Sequence, residues 1–77
     1  MNEFADIIRF HRIKSGLTQS ALARISGVGK TVVFDIEKGK QTIRLSTLIK
    51  ILNTLNIKIS FTGPLMDLYM KKKNEKS

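Results

Sequence analysis

Lys30, Thr31, Phe34 and Asp35 occupy the first, second, fifth and sixth positions of a short segment that opens directly after Gly27-Val28-Gly29. At helical spacing the two pairs lie one turn apart, on neighbouring positions of one face. Their chemistry is that of contact with base edges. Lysine donates to guanine O6 and N7, threonine serves either base type, an apolar group meets the thymine methyl, and aspartate accepts from cytosine N4. Behind them Lys38, Lys40, Gln41 and Arg44 crowd a polar loop, and Thr18 and Gln19 open the preceding segment. These six are the candidates for holding phosphates, which position a protein on a duplex without reading its sequence. Plainer readings stand beside these: Phe34 as an ordinary surface apolar residue, Asp35 as a solvated helix charge, the loop as a solvated turn.

Bond-breaking chemistry finds no footing. The chain has one histidine, His11, and no cysteine, so the usual metal ligands and nucleophile–base pairs are missing, and no carboxylate cluster replaces them. A solvent-facing helix position is the expectation for His11. Gly27-Val28-Gly29-Lys30-Thr31 looks like the end of a phosphate-binding loop, but that motif requires a glycine where this chain has Arg24, and a strand where this chain has a helix. The reading is a non-enzyme with no cofactor and no metal.

The elements that must position the contact residues are short. Thr18 is a good N-cap for an apolar-periodic segment with Leu22, Ala23 and Ile25, and that segment stops at Gly27. A second segment begins at Lys30, carries Val32, Val33 and Ile36, and ends before Gly39, where a glycine can adopt the left-handed closing conformation. Two helices of about two turns, joined by a turn containing glycine, form the helix-turn-helix pattern, whose second helix enters the DNA major groove. Ala23 and Gly27 are small where the two helix backbones are expected to approach, leaving Leu22, Val28, Val33 and Ile36 to fill the corner.

A first helix is expected from about Glu3 to Lys14, with its acidic residues early and Lys14 late, as the helix dipole favours. Its core stripe reads Phe4, Ile8, then Arg12. An arginine on the core face needs a partner, and Glu37 is the best candidate. A fourth helix from about Leu45 to Leu55 places Leu45, Leu48, Ile49, Leu52 and Leu55 at helical spacing, with Arg44 in the capping position. From Ile57 the period changes to strict alternation, Ile57-Lys58-Ile59-Ser60-Phe61-Thr62, stopped by Gly63-Pro64. No second strand exists in the chain to pair with it, so a symmetric partner is expected to supply one, the alternative being a strand-like tail packed on its own subunit. Ile57, Ile59 and Phe61 would then lie on the buried face of a two-stranded ribbon between the copies of a homodimer.

Seventy-seven residues make one small domain, marginal alone, and with no disulfide available oligomerisation is the expected source of extra stability. Fourteen basic against six acidic residues leave a net charge of +8, which favours a polyanionic partner through counterion release. No apolar run approaches the roughly 20 residues that span a bilayer, and the start Met1-Asn2-Glu3 does not resemble a secretion signal, so a cytoplasmic protein is expected, with no membrane partner. Residues 1–62 form the expected domain, including its dimerisation strand 57–62, and 63–77 a tail whose lysine-rich end, Lys71 to Lys76, is expected to be disordered. The stretch Leu65 to Met70 is apolar enough either to meet a partner or to fold back over the dimer's own core.

Gly16-Leu17-Thr18-Gln19, Ala23, Gly27-Val28, Ile36-Glu37 and Gly39-Lys40, continued by Leu45, Leu48, Ile51 and Leu55, resemble the phage-repressor (Cro/C1, XRE) family of helix-turn-helix domains. The resemblance covers most of the chain from Ile8 to Asn56. It implies a mainly α, lambda-repressor-like domain of four to five short helices, here with one C-terminal β-strand pairing across a homodimer. It also implies that Arg12 and Glu37 form an ion pair across the domain, since those positions commonly pair in the family. The run L-S-T-L-I-K-I-L-N-T-L-N-I-K-I-S-F, a helix leading straight into an alternating strand, is similar to the HipB-type antitoxins. That likeness implies a transcriptional repressor of its own toxin-antitoxin operon, acting as a dimer on a palindromic double-stranded operator and binding a HipA-type serine/threonine kinase toxin. Two rivals remain at this stage: a stand-alone phage-type repressor, and a protein-interaction module whose charge is incidental.

Overall fold

The computed structural model describes residues 3–75, and its element order is α1 (Glu3–Lys14), α2 (Gln19–Ser26), α3 (Lys30–Glu37), α4 (Leu45–Thr54) and α5 (Met66–Glu75). Helices α1 to α4 surround one core of Ile8, Leu22, Ala23, Val33, Ile36, Ile51, Leu52 and Leu55, against which Leu17, Val28, Val32, Ile43, Leu48 and Ile57 pack from the edge. Each of these short helices would be marginal alone, so burial of the shared apolar face is what holds them. Ser26 and Thr54 bring one polar contact to the same interior: Ser26 donates to Thr54 Oγ1 at 2.9 Å, and Thr54 donates in turn to the Lys50 carbonyl.

Four helices end in the same way. Past α1, α2 and α3 the chain turns through Gly16, Gly27 and Gly39, all at positive φ, and past α4 it turns through Asn56 at φ 58°. After each of the four, the next amide reaches back to the last turn: Leu17 N–H to the Arg12 carbonyl, Val28 to Ala23, Lys40 to Asp35, Ile57 to Leu52. These bonds satisfy carbonyls that a helix C-terminus leaves open. Gly27 is required for its φ of +76°, and not for a close approach of backbones, because a Cβ there would meet nothing within 4 Å.

Several side chains expected inside lie outside. The inward stripe of α1 is Ala5, Ile8 and Arg12, whereas Phe4 is 47% exposed. Ile25 is exposed and Ser26 takes the inward position at the end of α2. On α4 the buried pair is Ile51 and Leu52, with Leu45 and Ile49 exposed, because the four-helix core covers only one side of that helix. His11 is half-buried and donates from Nδ1 to the Ile7 carbonyl at 2.7 Å.

The C-terminal third differs most from expectation. Among the described residues there is no strand, and residues 57–63 are irregular. A strand exists by its ladder, and within one chain Ile57, Ile59 and Phe61 have no strand to pair with. Instead of a disordered lysine-rich end, residues through Glu75 form α5; Lys76 lies outside the described residues. No residue of α5 is buried, and the molecule measures 43 × 28 × 23 Å.

Candidate nucleic-acid interface

The amphipathic character of α3 decides which side chains are available. Val33 and Ile36 are buried, and this fixes the helix in rotation. Lys30, Thr31 and Phe34 are then exposed, and Asp35 is half-buried at the edge. The helix opens at Gly29, which offers no side-chain cap, so the first turn of α3 is unobstructed by its own N-cap.

Two pairings tie this face to the basic loop. The Lys38 ammonium lies 5.1 Å from the centroid of the Phe34 ring, a cation–π arrangement at the i, i+4 spacing of one helical turn. Lys40 Nζ stands 3.8 Å from Asp35 Oδ2. The second contact offsets the one carboxylate that would repel a phosphate backbone from this surface, and it also competes with any base for that carboxylate. Lys40 and Arg44 line a groove of about 320 Å³ between α3 and the start of α4, which places the loop beside Val32 and Asp35 of α3. Gln41 and Arg44 are exposed on that loop, and Arg44, the N-cap of α4, makes no side-chain hydrogen bond to its helix.

Thr18 and Gln19 are occupied in ways that spacing alone does not display. Thr18 Oγ1 accepts from the Ala21 amide at 3.0 Å, capping α2. Gln19 donates from Nε2 to Glu37 Oε1 at 3.2 Å. Glu37 in turn takes both arms of Arg12, Nε to Oε2 at 2.6 Å and Nη2 to Oε1 at 2.9 Å, while Arg12 Nη1 donates to the Leu17 carbonyl at 2.8 Å. The hydrogen bonds that Arg12 donates to Glu37 raise its pKa above the ordinary arginine value, burial opposes them, and the Glu37 charge adds a smaller rise. Arg12 and Glu37 thus belong to the scaffold, and Gln19 sits where that scaffold meets the surface.

The structure therefore gathers Phe34 with Lys38, Asp35 with Lys40, and Gln19 with Glu37. Lys30 and Thr31 stand at the opposite end of α3 from the loop. The Lys38–Phe34 pairing was readable from its helical spacing. The Gln19–Glu37 bond carries no such signal, because it joins two helices. Among the described residues no three potential metal ligands cluster, and no helix is long and apolar enough to cross a membrane.

Comparison with known proteins bears on this geometry. A family model described as Helix-turn-helix matches residues 8–61. A protein described as an uncharacterized HTH-type transcriptional regulator, y4mF of Sinorhizobium fredii, is 33% identical over 58 residues, covering 75% of this chain and 76% of its own. The control protein C.SmaI of Serratia marcescens is 34% identical over 55 residues, covering 71% of this chain and 66% of its own. Among solved structures, the restriction-modification controller protein C.AhdI from Aeromonas hydrophila superposes with a TM-score of 0.66 at 31% identity, over 71% of this chain and 83% of that one. A chain of a HipA-HipB-O2-O3 complex superposes with a TM-score of 0.73 at 25% identity, over 82% and 89%.

Proposed function

The chain belongs to the helix-turn-helix family, of the XRE type, and from that premise we propose that it is a sequence-selective transcriptional repressor that binds a palindromic operator as a homodimer. The observation that carries the reading is α3 itself. Its Val33 and Ile36 are locked in the core while Lys30, Thr31 and Phe34 face out, with a basic loop following at the Phe34 end of the helix. In this reading Lys30, Thr31, Phe34 and Asp35 meet base edges, and Thr18, Gln19, Lys38, Lys40, Gln41 and Arg44 hold the phosphates on either side. The homodimer buries Ile57, Ile59 and Phe61 of the two copies, of which Ile59 and Phe61 are exposed in one chain.

The regulated operon is of the HipBA type, and the partner is a HipA-type serine/threonine kinase toxin. Support comes from the likeness to a chain of the HipA-HipB-O2-O3 complex and from the helix-to-alternating-segment run before Gly63. A second reading is favoured by the likeness to C.AhdI and C.SmaI: a controller that regulates a restriction-modification operon, with no kinase partner. Selection of binding sites from a random duplex pool at near-physiological salt tests the shared part. Enrichment of an inverted repeat with half-sites about one helical turn apart supports it, and purely salt-sensitive, unselective binding rejects it. Co-purification from the native host separates the two operons: a kinase that stays bound through salt washing supports the antitoxin, and its absence favours the controller.

A further inference from the structure

Helix α1 is apolar on two sides. Ala5 and Ile8 face the core, while Phe10 and Ile13, with Ile7 one turn earlier, stand exposed on the opposite face, Phe10 by 59%. A surface helix needs one apolar stripe to hold its place, and contiguous apolar surface beyond that marks a contact. Beside Phe10 lies a concavity of about 260 Å³ lined by Asp6, Arg9, Phe10, Ile13 and Lys14, all of α1. Cavities of about 150 Å³ hold a benzene ring, so this one has room for an aromatic side chain. None of its lining residues borders the hollows around residues 57–61.

The charges on this face are ordered. Asp6 precedes Phe10 by four residues and Lys14 follows it by four, so the three form one i±4 ridge with an acidic end, an aromatic middle and a basic end. Asp6 and Lys14 are about 12 Å apart along the helix axis, too far to pair within one chain. Among the described residues neither forms an ion pair, and Lys14 Nζ lies 5.7 Å from the centroid of the Phe10 ring.

We propose that this face of α1 pairs with the same face of a second copy, the two helices running in opposite directions about a two-fold axis at Phe10. The commonest class of helix packing lays the i±4 ridges of two helices along each other. In an antiparallel pair centred on Phe10, residue 6 of one copy lies beside residue 14 of the other. Asp6 then meets the other copy's Lys14 at both ends, and each Phe10 ring enters the concavity beside its counterpart. A parallel pair would set carboxylate against carboxylate and ammonium against ammonium, which disfavours it. Symmetry supplies the reversed order of charge to every copy, and this selects a second copy as the occupant over an unrelated protein. The pairing goes beyond the homodimer reading above and does not depend on it. Together with a contact through residues 57–62 it links two dimers; without that contact it makes a dimer of its own.

Two charge variants test the pairing, because they fail alone and succeed together. Asp6→Lys and Lys14→Asp each set like charges at both ends, so at low salt each is expected to associate through α1 about tenfold or more weakly than the native chain. Their equimolar mixture restores opposite charges at both ends and is expected to recover the association. Sedimentation velocity across a dilution series reads the mass, and circular dichroism confirms that the variants keep their helices. Phe10→Lys, at an exposed position, removes the centre of the pair and should lower the largest species by one step: to a dimer where residues 57–62 hold two copies, to a monomer where they do not. A native chain that stops at a dimer and becomes a monomer in Phe10→Lys thus removes the homodimer reading and upholds the α1 pairing. A native mass that Phe10→Lys leaves unchanged overturns the pairing. So does a mixture of the two charge variants that associates no better than either alone, which leaves this face of α1 to a partner of another kind.

Discussion

Arg12 and Glu37, twenty-five residues apart, meet in a two-point ion pair whose carboxylate is only 3% exposed, and Gln19 donates to the same Glu37 oxygen. One acidic side chain thereby ties the end of α1 to the end of α3 and to the front of α2. Arg12 also holds the Leu17 carbonyl in the turn between α1 and α2. The orientation of α3, on which any reading of bases depends, is thus fixed on one side by the apolar core and on the other by this polar clamp.

Removing one member of a buried pair strands the other, at a cost of roughly 3–5 kcal/mol. For a domain of this size each kcal/mol moves the melting temperature by about 4–8 °C. Glu37→Ala is therefore expected to lower the melting temperature by about 10 °C or more. Its DNA selectivity, measured cold where the variant is still folded, should be retained. Unchanged melting with lost binding would move Glu37 from the scaffold to the contact surface. Because the Arg12 pKa is raised on folding, the arginine's share of this stability is complete below the ordinary arginine value and fades only at pH above it. Melting between pH 7 and 10 should accordingly show no loss traceable to Arg12.

Lys30 and Lys40 are assigned different work, and a pair of variants separates it. Lys30→Ala should lose about 1–3 kcal/mol on the selected sequence with little change on random duplex, whereas Lys40→Ala should weaken both alike and reduce the salt slope by about one. Lys40 also faces Asp35 at 3.8 Å, so Lys40→Ala exposes a carboxylate on the reading face. Asp35→Asn in the Lys40→Ala background should recover part of the affinity lost on random duplex, while giving up whatever selectivity Asp35 supplies on the selected sequence. Equal losses on selected and random duplexes for both single variants would undo the division of roles.

The four-helix body was readable from the residues because every signal there is local. Thr18, Gly27 and Gly39 mark where helices begin and end, and Ile8, Leu22, Val33 and Ile36 recur at helical spacing. Of the α4 positions at helical spacing, Leu48, Leu52 and Leu55 reach the core and Leu45 and Ile49 do not, because period alone does not say which side of a helix other elements cover. The alternation after Ile57 is a true pattern of the sequence, but a ladder depends on a second strand that one chain does not contain. Helix α5 escaped because Lys71 to Lys73 read as a charged tail, while Leu65, Leu68 and Tyr69 supply the helical stripe just before them. The Gln19–Glu37 bond, which joins separate helices, had no local mark at all.

Asn56 closes α4 at φ 58°, where α1, α2 and α3 are each followed by a glycine. Left-handed backbone costs most L residues roughly 1–2 kcal/mol, and asparagine less. Asn56→Ala is expected to destabilise by about 1 kcal/mol, and Asn56→Gly to be near neutral because relieved strain is offset by a freer unfolded chain. Chemical denaturation of the two variants checks the order; equal stability for Ala and Gly would mean that the turn relaxes away from the left-handed region.

Arg44 shows where stability and contact pull apart. It sits at the N-cap of α4 with extended dihedrals of −67° and 135°, a conformation in which serine can accept from the first turn, yet its side chain makes no bond to the helix. Arg44→Ser should add about 0.5–1 kcal/mol of stability, the usual worth of a cap. The same change removes a cation from the loop beside α3, so affinity for all duplexes should fall and the salt slope should drop by about one. If Arg44 holds a phosphate, as proposed, the expected result is a more stable protein that binds less tightly with selectivity unchanged. A variant with higher stability and undiminished DNA affinity would show that Arg44 lies outside the interface, and would confine the phosphate contacts of the loop to Lys38, Lys40 and Gln41.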